Sequence, residues 1–105
     1  MALGELEQLI LLVILRLDDN AYGVTIREHL LHTAHRKVAL PTVYTTLDRL
    51  ESKGHVTTRL GDPTAERGGR RKRFYRLTAS GQRAVKASLT ALRALTRDLS
   101  QEFQP

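Results

Sequence analysis

The chain has 105 residues, enough for one domain and one compact core but not for a core, a deep substrate cleft and a cofactor fold together. At 41% hydrophobic and 27% charged it falls in the ordinary globular range, and the absence of cysteine excludes disulfides, thiolate zinc sites and cysteine nucleophiles. A net charge of +6 and a pI near 10.3 point to a polyanionic partner, nucleic acid or an anionic membrane surface.

Placement of the charge says more than its total. Between His55 and Arg76 lie seven basic residues, Arg59, Arg67, Arg70, Arg71, Lys72, Arg73 and Arg76, against two acids, Asp62 and Glu66. Nearly all the excess therefore sits in one central stretch. The longest apolar run, Leu9 to Leu15, is far short of the ~20 residues that a bilayer requires. Glu5 and Glu7 precede it where a secretion signal would be positive, so the expected location is the cytoplasm.

Leu3, Leu6, Ile10, Val13, Ile14 and Leu17 recur at three- and four-residue steps, which predicts a helix closed by Asp18-Asp19-Asn20. Leu11, Leu12 and Leu15 make it apolar around most of its circumference, and a helix apolar all round is covered all round. A second chain is the expected cover for one face. A second helix is predicted from about Tyr22 to Ala34, followed by a break in which Val38 is a candidate for extended backbone. Pro41 suits the first turn of a third helix, and Gly54 a stop after Lys53. Leu40, Val43, Leu47 and Leu50 form its buried stripe, leaving Thr42, Thr45, Thr46 and Arg49 outward and Tyr44 on the flank.

From His55 the period changes to two. Val56, Thr58 and Leu60 share one face of a strand, Thr57 and Arg59 the other. Gly61-Asp62-Pro63 reads as a turn and Thr64 to Arg71 as a polar loop. Alternation then resumes, with Tyr75 and Leu77 inward and Phe74 and Arg76 outward. Thr78 is placed to cap a last helix running from Ala79 to about Glu102. Along it Val85, Leu89, Leu92, Leu95, Leu99 and Phe103 form an apolar seam, on a helix roughly 35 Å long of which only the first turns can pack on their own domain.

Three helices, a strand, a basic hairpin and a second strand are the element order of a winged helix-turn-helix. The second helix braces the third, which offers Pro41, Thr42, Tyr44, Thr45 and Arg49 to a DNA major groove. Tyr44 is expected to pack its ring on the domain and reach a phosphate with its hydroxyl; the alternative is a wholly buried tyrosine. Gly68-Gly69 followed by Arg70, Arg71, Lys72 and Arg73, with Arg67 before them, makes a wing suited to phosphates or a narrow minor groove. The fold class expected is mainly α with a small β-hairpin. Residues 1–77 form the DNA-binding domain, with the wing at about 61–72, and residues 78–105 a dimerisation helix and tail.

Four segments closely resemble the PadR-like transcriptional regulators. They are Leu3-Gly4-Glu5-Leu6-Glu7; Ala21-Tyr22-Gly23; Val43-Tyr44-Thr45-Thr46-Leu47-Asp48-Arg49-Leu50-Glu51-Ser52-Lys53-Gly54; and Gly68-Gly69-Arg70-Arg71-Lys72-Arg73-Phe74-Tyr75-Arg76-Leu77-Thr78. The resemblance extends from Leu3 to about Gly81 and rests on the combination of pieces rather than on any one. It implies a winged-helix domain, a dimer built from the first and last helices, and repression of promoters through an inverted repeat. A single C-terminal helix is similar to the short type in that family. Leu6, Ile10, Leu89, Leu92, Leu95, Leu99 and Phe103 are the dimer residues expected, and an apolar effector could bind between two such chains.

Other chemistries find little support. His29 and His32 share a helix face, but His35 lies roughly 240° around from His29, so the three do not converge on a metal. No serine has a paired histidine and carboxylate, and Gly68-Gly69 lacks the Lys-Ser/Thr of a phosphate-cradling loop. Neither a cofactor nor an enzymatic activity is expected. Two alternatives stay open: a winged-helix docking module that uses the Leu89–Phe103 seam, and a non-specific architectural DNA binder.

Overall fold

The computed structural model describes residues 3–62 and 71–99. Helix α1 spans Glu5–Leu17 and runs into a 3₁₀ turn at Asp18–Asn20. Then come α2 (Gly23–Ala34), α3 (Leu40–Ser52), strands β1 (Val56–Leu60) and β2 (Arg73–Leu77), and α4 (Ala79–Thr96). The two strands pair antiparallel, Val56 opposite Leu77, Thr58 opposite Tyr75 and Leu60 opposite Arg73. The fold is mainly helical with one small hairpin, as the period changes along the sequence predict.

Helix α1 is the centre of the domain, touching α2, α3, α4 and β2. That explains its nearly all-round apolarity. Ile10, Leu11, Val13 and Ile14 are buried against Ile26 and Leu30 of α2, Val43, Leu47 and Leu50 of α3, Val56, Tyr75 and Leu77 of the hairpin, and Val85 of α4. Ile10 is wholly buried within the single chain, which corrects its expected place at a dimer surface. The chain itself covers most of α1; Leu15, at 47% exposure, is the large apolar side chain of this helix left open.

A buried carboxylate fastens α1 to the end of α3. The Gly4 N–H donates to Glu7 Oε1 at 2.8 Å, and Lys53 Nζ donates to both carboxylate oxygens at 3.0 and 2.8 Å. Burial raises the Glu7 pKa, but the Lys53 and Gly4 hydrogen bonds and the charges of Lys53 and Arg49 outweigh it, so the net shift is downward. A carboxyl lowered in the folded state stabilises the protein fully above the ordinary carboxylate range. That contribution is lost as pH falls through the lowered value. Glu7→Gln should therefore cost about 2 kcal/mol near neutral pH and flatten the acid limb of the stability curve, as thermal melts between about pH 7 and pH 3 would show.

The corner after α3 is closed by backbone geometry. Gly54 adopts φ +78°, its N–H donates to the Glu51 carbonyl at 2.9 Å, and the His55 N–H reaches the Leu50 carbonyl at 2.9 Å. This double bond pattern ends a helix by satisfying its last carbonyls. The start of α4 is fixed to the same corner. Thr78 N–H donates to the His55 carbonyl at 3.0 Å, its hydroxyl donates to the Gly54 carbonyl at 2.6 Å, and it accepts from Gly81 N–H at 3.1 Å. Gly81 lies so close to His55 that an added Cβ would stand 2.0 Å from the His55 carbonyl oxygen.

One boundary differs from expectation. Helix α4 ends at Thr96, not near Glu102. The Thr96 hydroxyl donates to the Leu92 carbonyl at 2.9 Å, Asp98 adopts φ +68°, and an acid near a helix C-terminus opposes the dipole. Apolar spacing cannot register any of this. On β1, Leu60 keeps the face expected of it, but the core does not reach that far and the side chain is 56% exposed. Val38 lies outside any strand, partly buried against the core.

Candidate nucleic-acid interface

Helix α3 carries Pro41, Thr42, Tyr44, Thr45 and Arg49 on its exposed side, over a buried stripe of Val43, Leu47 and Leu50. Thr46, expected among the outward residues, is buried at 4% exposure. It sits three residues from Val43 and four from Leu50, within the stripe, and its hydroxyl donates to the Thr42 carbonyl at 2.9 Å. That bond lets a polar group enter the core at little cost. The Thr45 hydroxyl donates to the Pro41 carbonyl at 3.0 Å, which leaves its oxygen lone pairs and methyl group facing out.

Tyr44 takes neither extreme. Its side chain is 40% exposed, yet its ring and hydroxyl lie over Gly23, where an added Cβ would meet Tyr44 Cζ and Oη at 2.5 Å. Gly23 opens α2, so the bare backbone at that helix start is what seats the tyrosine of α3. The buried Tyr75 ring of β2 is also close to α3. Burial raises its phenol pKa, Arg73 counteracts this, and Asp48, Glu51 and Tyr44 reinforce it.

Arg71, Lys72 and Arg73 are exposed at the start of the second wing strand. Arg67 and Arg70 lie outside the described residues. The neck of the wing is closed by the Gly61 N–H, which donates to the Lys72 carbonyl at 2.8 Å. Below it sits a cluster of residues whose contact with one another the sequence does not announce. Tyr22 bridges to Phe74 as isolated β-partners, and their rings meet edge to face, 5.5 Å between centroids at 73°. The Lys72 ammonium lies 4.6 Å from the Tyr22 centroid, and the Arg59 guanidinium 4.6 Å from that of Phe74. The Tyr75 N–H donates to the Ala21 carbonyl at 2.8 Å, so Ala21-Tyr22 borders the hairpin before α2 begins. One sequence signal was available: Phe74 is an aromatic residue on the outward face of a strand.

Outside this region, Leu6 and Leu89 are half-buried, while Leu92, Leu95 and Leu99 are 50%, 76% and 39% exposed. Phe103 lies outside the described residues. His29 Nε2 accepts from Arg16 Nε at 3.0 Å and contacts the Thr33 hydroxyl at 3.2 Å. Among the described residues no group of three or more His, Cys, Asp or Glu side chains could hold a metal ion, and no helix is long and apolar enough to cross a membrane.

A braced helix with an exposed polar row, joined to a cationic hairpin, defines a winged-helix protein. The chain belongs to the transcriptional regulator PadR-like family, whose pattern matches residues 10–87. Members of that family are transcription regulators, not enzymes. Among solved structures, a PadR family transcription regulator from hypervirulent Clostridium difficile R20291 is similar at 25% identity with a TM-score of 0.77, covering 96% of this chain and 100% of that one. A transcriptional regulator from Clostridium thermocellum is similar at 23% identity and TM-score 0.75, covering 97% of this chain and 92% of that one. Bacillus subtilis PadR, solved in complex with operator DNA, shares the fold at 22% identity and TM-score 0.70, with 82% of this chain and 47% of that one covered. No curated protein matches the sequence.

Proposed function

We propose that this chain is a sequence-specific DNA-binding regulator, a homodimeric repressor acting in the cytoplasm on an inverted-repeat operator. The observation that carries this reading is the exposed row Pro41, Thr42, Tyr44, Thr45 and Arg49 on α3, linked through Tyr44 and Gly23 to a hairpin with exposed Arg71, Lys72 and Arg73. In this reading residues 1–77 bind DNA, with Arg67 and Arg70 adding to the wing, and residues 78–105 supply the dimer contact. Leu92, Leu95 and Leu99, left open in a single chain, support a second copy as their cover, with Leu6, Leu89 and Phe103 alongside. A small apolar effector lodged between the two copies would release the operator by changing the spacing of the α3 helices.

Thr45 and Arg49 read base edges; Arg71 and Arg73 hold phosphates. Fluorescence anisotropy with DNA from upstream of the protein's own gene, a scrambled control and two salt concentrations tests the division. Operator should be preferred by about a thousandfold. Arg71→Ala should weaken both probes and reduce the salt slope by about one unit, whereas Thr45→Ala should lower the preference and leave the slope unchanged. Sedimentation of the same protein should give twice the chain mass. Equal binding to both probes would favour an architectural DNA binder, and no binding at low salt a docking module.

A further inference from the structure

We propose that Ala21-Tyr22-Gly23 is a gauge that sets the wing's angle to α3, with Tyr22 and Phe74 as positioning residues and Lys72 spent on the gauge, not on phosphate. The inference rests on the DNA-binding reading and deepens it.

Three consecutive residues carry three different connections. Ala21 accepts the Tyr75 amide proton at 2.8 Å, Tyr22 bridges and stacks on Phe74, and Gly23 receives the Tyr44 ring. The proposed base-reading helix and the proposed phosphate-reading hairpin thus meet on the same short segment, extended at Ala21 and Tyr22 and helical from Gly23. Among the described residues, neither Tyr22 nor Phe74 is part of the buried core cluster. Their position outside it suits alignment more than stability.

Charge supports the same assignment. Arg59, Lys72 and Arg73 crowd the root of the hairpin, where like charges would push the strands apart. Two of the three, Arg59 and Lys72, lie over aromatic faces that attract cations. Arg71 and Arg73 remain as the described cations of the wing not engaged by a ring. Gly61 completes the device, since a Cβ there would stand 2.6 Å from Phe74 Cε2. The ring fits because the neck residue has no side chain.

The test uses the full chain, the operator probe above and salt titrations of Tyr22→Phe, Tyr22→Leu and an Arg71→Ala/Arg73→Ala variant, alone and combined. Tyr22→Phe should bind as the wild type does. Tyr22→Leu should bind about tenfold more weakly with a shallower salt slope, and should have no further effect once Arg71 and Arg73 are gone. A purely structural role would instead weaken binding equally in both backgrounds. Should Tyr22→Leu melt below the assay temperature, Lys72→Met serves in its place. In the Arg71→Ala/Arg73→Ala background it should leave the slope unchanged, and a further loss of one unit would return Lys72 to the phosphate contacts and overturn the proposal. Wild-type protein that shows no salt-dependent binding removes the DNA reading itself. Wild-type binding with an additive Tyr22→Leu removes only the gauge.

Discussion

Gly81→Ala should destabilise the protein by about 2–4 kcal/mol, the reverse of what helix propensity alone predicts. Replacing glycine by alanine inside a helix ordinarily gains about 1 kcal/mol. Here the new methyl would lie 2.0 Å from the His55 carbonyl oxygen, a backbone atom that cannot rotate away. The first turn of α4 must lift from the corner instead. Lifting stretches the Thr78 N–H bond to His55 and the Thr78 hydroxyl bond to Gly54, each worth about 1 kcal/mol, and loosens the nearly buried Val85. Denaturant melts of Gly81→Ala beside Gln82→Ala, an exposed neighbour in the same turn, provide the comparison. Gln82→Ala should be nearly neutral, and a neutral Gly81→Ala would show that α4 is not anchored by this contact.

Gly23→Ala should cost about 1–2 kcal/mol and weaken operator binding with it. The obstructing atoms are Tyr44 Cζ and Oη at 2.5 Å, a side chain and not a backbone, so the ring can swing out at the price of its seat. That difference makes the cost smaller than at Gly81 and moves it to the face proposed to read DNA. A double variant separates the two consequences. Adding Tyr44→Ala to Gly23→Ala should recover most of the lost stability, because the clash is gone, but none of the lost affinity. If Tyr44→Ala restores neither, the packing of Tyr44 on Gly23 does not govern the site.

Much of this architecture is legible in the chain because the same spacing rules that bury a stripe also expose its opposite face. Val43, Leu47 and Leu50 predict the orientation of α3, and with it the outward positions of Thr42, Thr45 and Arg49. Where reading by spacing failed, a polar group had found a partner that spacing cannot see. Thr46 enters the core because its hydroxyl is satisfied by its own helix. Glu7 is buried because Lys53, distant in sequence, meets it. The end of α4 is missed for the opposite reason: the apolar repeat continues to Leu99, while local backbone preferences at Thr96 and Asp98 stop the helix first. Tyr22 and Gly23 stand in a segment that carries the family resemblance, but their contacts, like that of Gly81, depend on close approach between segments far apart in sequence, which no local pattern records.

The closed neck of the wing, where Gly61 donates to the Lys72 carbonyl, also separates two evolutionary pressures. Among the described residues, the contacts that align the hairpin lie on the protein side of that bond. Insertions between Gly61 and Lys72 therefore add chain beyond that bond while leaving the described core and the α3 surface as they are. The entropic penalty of such growth is small, about 0.6 kcal/mol for each doubling of length. In the proposed DNA-binding role, the reach of the wing is thus under much weaker constraint than the few residues that aim it.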